Sequence, residues 1–111
     1  MKGEAAEQFA AEFLQRQGMK ITARNYRCRF GEIDLIAQDG KTLVFIEVKS
    51  RRTEDFGGAA ASITRDKRDK LLRAARHYLA RLGNAPPCRF DAVLIRGEPP
   101  QIEWLRNAFG E

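Results

Sequence analysis

The sequence predicts an α/β (α+β) fold, helices packed on a mixed sheet, and three observations predict it. Apolar residues recur at helical spacing in Gly3–Gln17 and again after Thr64. Between them, Gly31–Arg52 (GEIDLIAQDGKTLVFIEVKSRR) alternates apolar and polar residues around Asp39-Gly40, the pattern of two strands and a tight turn. Strand-like runs stand before this hairpin and after the second helix, giving the order αβββαββ. At 111 residues the chain is long enough for one core, so 1–111 is expected to form a single domain.

Composition narrows the class. Hydrophobic residues make up 43% and charged residues 32%, a globular balance and not a disordered one. The net charge of +5 favours a polyanionic partner. No apolar run approaches the roughly 20 residues of a membrane span, and the opening MKGEAAEQFA lacks a signal peptide's apolar stretch. No membrane association and a cytoplasmic location are therefore expected. Cys28 and Cys88 stand alone, without CxxC spacing, and are expected to be free thiols in a reducing compartment.

In chain order, Ala5, Ala6, Phe9, Ala10, Phe13 and Leu14 form the stripe of the first helix, and Gly18 stops it. Glu7 and Glu12 flank that stripe, while Glu4 points away from it. A flanking glutamate beside a sheet can lean toward an active site, although a solvated charge is the plainer reading. Met19–Arg29 reads as a first strand crowded with Lys20, Arg24, Arg27 and Arg29, with Tyr26 and Phe30 among them. Cations interleaved with rings suit nucleic acid; an edge strand kept soluble by charge has the same composition.

In the hairpin, alternation puts Ile33, Leu35, Val44, Ile46 and Val48 on one face and Glu32, Asp34, Phe45, Glu47 and Lys49 on the other. A loop from Asp39 to Thr42 sets Asp34 opposite Glu47, with Cβ atoms about 5 Å apart. Two carboxylates that close repel, so either a cation stands between them or one is protonated. Paired hard oxygens suit Mg²⁺, and Lys49 on the same face could polarise a water or steady charge on a phosphate. A solvated face with cross-strand ion pairs is the competing reading.

Arg51 and Arg52 extend the positive charge, and Thr53–Ser62 reads as a loop able to close over a substrate or merely to connect. Thr64 is the expected N-cap of the second helix and Gly83 its stop. Leu71, Leu72, Ala75, Tyr78, Leu79 and Leu82 form its apolar stripe, and Arg68 falls inside that arc, to snorkel out or to reach the acidic face. His77, on the polar side, is expected at the surface. Arg89–Arg96 is an interior strand and Gln101–Arg106 a short last one, with Trp104 and Phe109 packing on the core.

These residues carry a resemblance. Asp34, then Glu47-x-Lys49 across a hairpin between two helices, resembles the PD-(D/E)xK nuclease superfamily. More closely, Asn25-x-Arg27, GEIDLIA at Gly31–Ala37, LVFIEVKSR at Leu43–Arg51, Phe56-Gly57, Ala75-x-x-Tyr78-Leu79, Arg89-Phe90-Asp91 and Asn107-Ala108-Phe109 resemble the YraN-like bacterial family, near archaeal Holliday junction resolvases. The resemblance spans nearly the whole chain. It implies a restriction-endonuclease-like αβββαβ core. It also implies Mg²⁺, with Mn²⁺ able to substitute, held by Asp34 and Glu47, and Lys49 assisting the attacking water. The family's first-helix acid falls on Glu7, preceded here by Ala6 where relatives have Gly. Ile33 stands where the superfamily has Pro, Arg68 where relatives often have Gln, and Trp104 where they often have His.

The implied function is a Mg²⁺-dependent nuclease acting on DNA, branched or single-stranded. Glu7, Asp34, Glu47 and Lys49 would form its site, and Arg27, Arg29, Arg51, Arg52 and Arg68 would hold nucleic acid. The superfamily also contains members that bind without cutting, so a non-catalytic nucleic-acid-binding module or DNA-processing accessory protein is the alternative. A structural subunit whose hairpin acids only form ion pairs is a third reading. Junction-cutting relatives act as two-fold dimers, which makes a homodimer through the last strand an expectation.

Overall fold

A computed structural model describes residues 3–51 and 63–109. The expected 53–62 loop and Arg52 lie outside the described residues. The elements run α1 (Gly3–Arg16), β1 (Lys20–Cys28), β2 (Gly31–Asp39), β3 (Thr42–Arg51), α2 (Arg65–Leu82), β4 (Cys88–Arg96) and β5 (Gln101–Phe109). The five strands form one mixed sheet in the order β1-β2-β3-β4-β5. All neighbours are antiparallel except β3 and β4, which are parallel and joined across the sheet by α2. The αβββαββ order and the α+β class predicted from the sequence are those observed. None of the helices is long and apolar enough to cross a membrane, among the described residues.

The two helices cover opposite faces. Ala6, Ala10, Ala11 and Leu14 of α1 pack on Leu35, Ala37, Val44, Ile46, Val93 and Ile95. Three of those four helix residues are alanines, which bring the helix backbone close to the sheet and with it any side chain beside the stripe. On the other face Leu71, Ala74 and Ala75 of α2 cover Ile36, Phe45, Phe90 and Phe109. Leu82, expected in that stripe, is 44% exposed at the end of the helix. Thr64 accepts from the Lys67 backbone N–H at 3.2 Å, and Gly83 takes the left-handed conformation at φ 82°, so both predicted caps are present.

The hairpin register follows from its turn. Asp39 pairs with Thr42 and Leu35 with Ile46 around Gly40-Lys41, and the same count places Asp34 across from Glu47. The strict alternation expected for β2 fails at one point. Ile33 belongs to the α2 side with Ile36 and Phe45, whereas Leu35 faces α1. The cause lies across the strand. Tyr26 pairs with Ile33 and Arg24 with Leu35, and Asn25, between them, has φ 51°. A left-handed residue twists β1 sharply, and β2 follows, so Asp34 stands where the pleat changes sides.

The last strand is longer than the sequence suggests, running to Phe109, with a register shift between Phe90 and Ala92 and a positive φ of 53° at Asn107. Both features are organised by Asp91, which is fully buried. It accepts from Arg89 Nε at 3.0 Å, Trp104 Nε1 at 2.9 Å and the Asn107 backbone N–H at 2.9 Å. A buried carboxylate is tolerable only with such partners. Trp104 also meets Phe13 edge-on at 6.1 Å, fixing α1 against β5. His77 differs from its expected surface setting: it is half-buried, with Nδ1 2.6 Å from the Tyr26 hydroxyl. Cys28 and Cys88 are not joined in a disulfide, as expected.

Candidate active site

Four elements deliver charged groups to one cleft. The alanine stripe of α1 brings Glu7, next to buried Ala6, down onto the sheet. The twist of β2 presents Asp34, and β3 contributes Glu47 and Lys49. The first turn of α2 adds Lys67. Glu7, Asp34, Glu47, Lys67 and the backbone of Val48 line a cavity of about 340 Å³.

Asp34 is the hub. Its Oδ2 accepts from the Val48 backbone N–H at 2.9 Å, which ties it to β3 between Glu47 and Lys49. It lines one cavity with Glu7 and Glu47 and raises the pKa of both. Glu7, Glu32 and Asp34 place carboxylate oxygens within 4.8 Å of one another, close enough for three ligands to share a metal ion. Glu47 is nearly inaccessible at 3% exposure. Burial, then the adjoining Asp34 carboxyl, push it up to about 7, against the pull of Lys67. Glu7 is raised for the same two reasons, and Asn25 opposes the shift by donating to its carboxylate.

The cations are ordered around these acids. Lys67 forms an ion pair with Glu47 Oε2, and Lys49 Nζ lies 3.9 Å from the same oxygen. Lys49 is thus beside the acids, as the strand parity predicts. Arg27 pairs with Glu32 at 3.0 Å. Arg29 is exposed, its guanidinium 4.8 Å from the centre of the Phe30 ring. Arg51 ends β3. Arg68 lies over Phe109 at 5.7 Å, against the β4–β5 half of the sheet, and is not among the residues lining the cavity.

The structure therefore gathers Glu7, Asp34, Glu47 and Lys49, and it adds three residues to which sequence reasoning assigned no role. Glu32 was legible as a member of the acidic face. Asn25 carried a signal too, since asparagine is the non-glycine residue most tolerant of a left-handed backbone. Lys67 left only a faint one: a lysine in the first helical turn, where helices favour acids.

A five-stranded mixed sheet, a helix on each face and a carboxylate cleft where β2 and β3 part define an α+β protein consistent with a restriction-endonuclease-like core. The chain belongs to the uncharacterised protein family UPF0102, the YraN-like family, whose pattern matches residues 6–95. It is 62% identical over 110 residues to a UPF0102 protein of Nitrosomonas eutropha, covering 99% of this chain and 94% of the relative. A UPF0102 protein of Nitrosomonas europaea is 59% identical, with 99% and 94% covered. One from Psychromonas ingrahamii is 50% identical, with 99% and 90% covered.

Proposed function

We propose that the chain is a Mg²⁺-dependent nuclease that hydrolyses phosphodiester bonds of DNA, branched or single-stranded, with Mn²⁺ able to substitute. The observation that carries this reading is the position of Asp34, bonded to Val48 N–H and lining one cavity with Glu7 and Glu47. The donor set fits the ion. All candidate ligands are carboxylate oxygens, suited to a hard cation, and those of Glu7, Glu32 and Asp34 lie within 4.8 Å of one another. Asp34 and Glu47 would hold the metal, with Glu7 in support. When bound, the ion supplies a positive charge beside the phosphate and makes a coordinated water more acidic.

The chain's own groups do the rest. Val48 N–H fixes the Asp34 carboxylate, leaving its second oxygen for the cleft. Lys49, 25% exposed, would orient the attacking water or stabilise charge developing on the phosphate. Arg27, Arg29, Arg51, Arg52 and Arg68 would hold the nucleic-acid backbone, making binding strongly salt-dependent. A cytoplasmic location and a homodimer through the edge strand β5 belong to the same reading.

One observation favours a second reading, a nucleic-acid-binding module without catalysis: Glu47 is already ion-paired with Lys67. A cleavage assay on linear, single-stranded, flapped and four-way-junction DNA with Mg²⁺, Mn²⁺ or EDTA separates the two. Metal-dependent cutting that disappears in Asp34→Asn, with DNA binding retained, supports the nuclease. Salt-sensitive binding without cutting under any metal supports the module.

A further inference from the structure

We propose that Lys67 is an internal counter-ion that fills the acidic cleft of the metal-free protein and surrenders its place on Glu47 to a divalent cation. The proposal rests on the metal-dependent reading above and assigns a role to a residue outside the Asp34, Glu47-x-Lys49 pattern.

The geometry of the pair is asymmetric. The Glu47 side chain is 2% exposed and held within β3, so it stays where it is. The Lys67 side chain is 41% exposed, and its flexible four-carbon stem gives the ammonium a path to solvent. Its ammonium lines the same cavity as Glu7, Asp34 and Glu47, so it occupies the space a shared cation would need. Lys49, 3.9 Å from the same Glu47 oxygen, is not among the residues lining that cavity.

Local helix physics does not explain Lys67. It lies in the first turn of α2, three residues after the N-cap Thr64, where the helix dipole favours acids and disfavours ammonium groups. Asp66 obeys that preference, whereas Arg65 and Lys67 do not, and of those two it is Lys67 that lines the cleft. What Lys67 gains is the carboxylate cluster: with three carboxyls converging, a cation is required for them to ionise together. An ammonium on a tether supplies it reversibly, at a cost in metal affinity.

The test measures Mn²⁺ binding to the metal-free full chain by electron paramagnetic resonance at one fixed pH. Wild type is compared with Lys67→Met, which keeps most of the stem, and with Lys70→Met. Lys70 is one turn on, exposed and paired with Asp66 at 3.4 Å, so its removal changes the net charge equally without touching the cleft. Lys67→Met is expected to bind Mn²⁺ about tenfold tighter, equivalent to about 1.4 kcal/mol of competition removed, while Lys70→Met matches wild type. In EDTA the melting temperature of Lys67→Met is expected to fall below wild type, and Mn²⁺ restores it. Equal affinity in wild type and Lys67→Met overturns the counter-ion role and leaves the metal reading standing. Equal tightening in both variants also overturns it, as a general charge effect. Binding by Lys67→Met alone supports it strongly, and no binding by any of the three removes both readings.

Discussion

The Asp34 carboxylate of β2 accepts the backbone N–H of Val48 in β3 at 2.9 Å, so a side chain stands in for the strand ladder at the point where the hairpin carries its charges. Printed into the geometry this way, the aspartate is oriented by the residue between Glu47 and Lys49. Asparagine can accept the same bond through its amide oxygen. Asp34→Asn is therefore expected to melt within a few degrees of wild type while Mn²⁺ affinity falls at least about tenfold, an amount typical of losing one charged ligand. Calorimetry of both properties on one preparation checks this; a collapse of the melting transition would show that the charge itself supports the fold.

Glu47 makes stability depend on pH. Its folded value, about 7, lies above the ordinary 4.5, so the folded protein binds this proton more tightly than the unfolded chain does. The contribution is full below about 4.5 and is lost as pH rises through about 7. Without metal the protein is expected to lose stability from this group between about pH 4.5 and about 7, by at most about 3 kcal/mol. Glu47→Gln is expected to flatten that slope in urea titrations at the two pH values.

The Asp91 cluster is structural and tests independently of any activity. Trp104→Phe removes one donor from a fully buried carboxylate, with an expected loss of about 1–3 kcal/mol. Asp91→Ala deprives Trp104 Nε1 and the Asn107 N–H of their acceptor and leaves Arg89 only its ion pair with Asp39, and it is expected to cost more, about 3–5 kcal/mol. Urea denaturation of the two variants should preserve that order.

Asn25 combines a left-handed backbone with a side chain that favours the ionised form of Glu7. Asn25→Gly keeps the conformation and loses the side chain, while Asn25→Ala loses the side chain and disfavours the conformation. The alanine variant is expected to be less stable than the glycine variant by about 1 kcal/mol, the reverse of their usual order. Thermal melts of the two decide it.

The legible part of the site was the part carried by one hairpin. Asp34, Glu47 and Lys49 share a register fixed by Asp39, Gly40 and the residue count between them, and Glu7 followed from the alanine stripe and the family pattern. Lys67 was not legible, because Arg68 drew attention as the cation within the apolar arc and nothing local relates residue 67 to residue 47. Nor was the role of Asp91, whose donors come from three separate positions on β4 and β5.

By itself the sequence determined the element order, the two helix caps at Thr64 and Gly83, the apolar stripes and the hairpin register. Each depends on a backbone period or on a residue's own conformational limits, which act over a few positions. Only the tertiary structure decided that Ile33 faces α2, that Asn25 supports Glu7, and that Lys67 meets Glu47 from another element. Those outcomes depend on how far β1 and β2 twist at Asn25 and on where α2 lands after crossing the sheet, and contacts between distant residues are set by that packing alone.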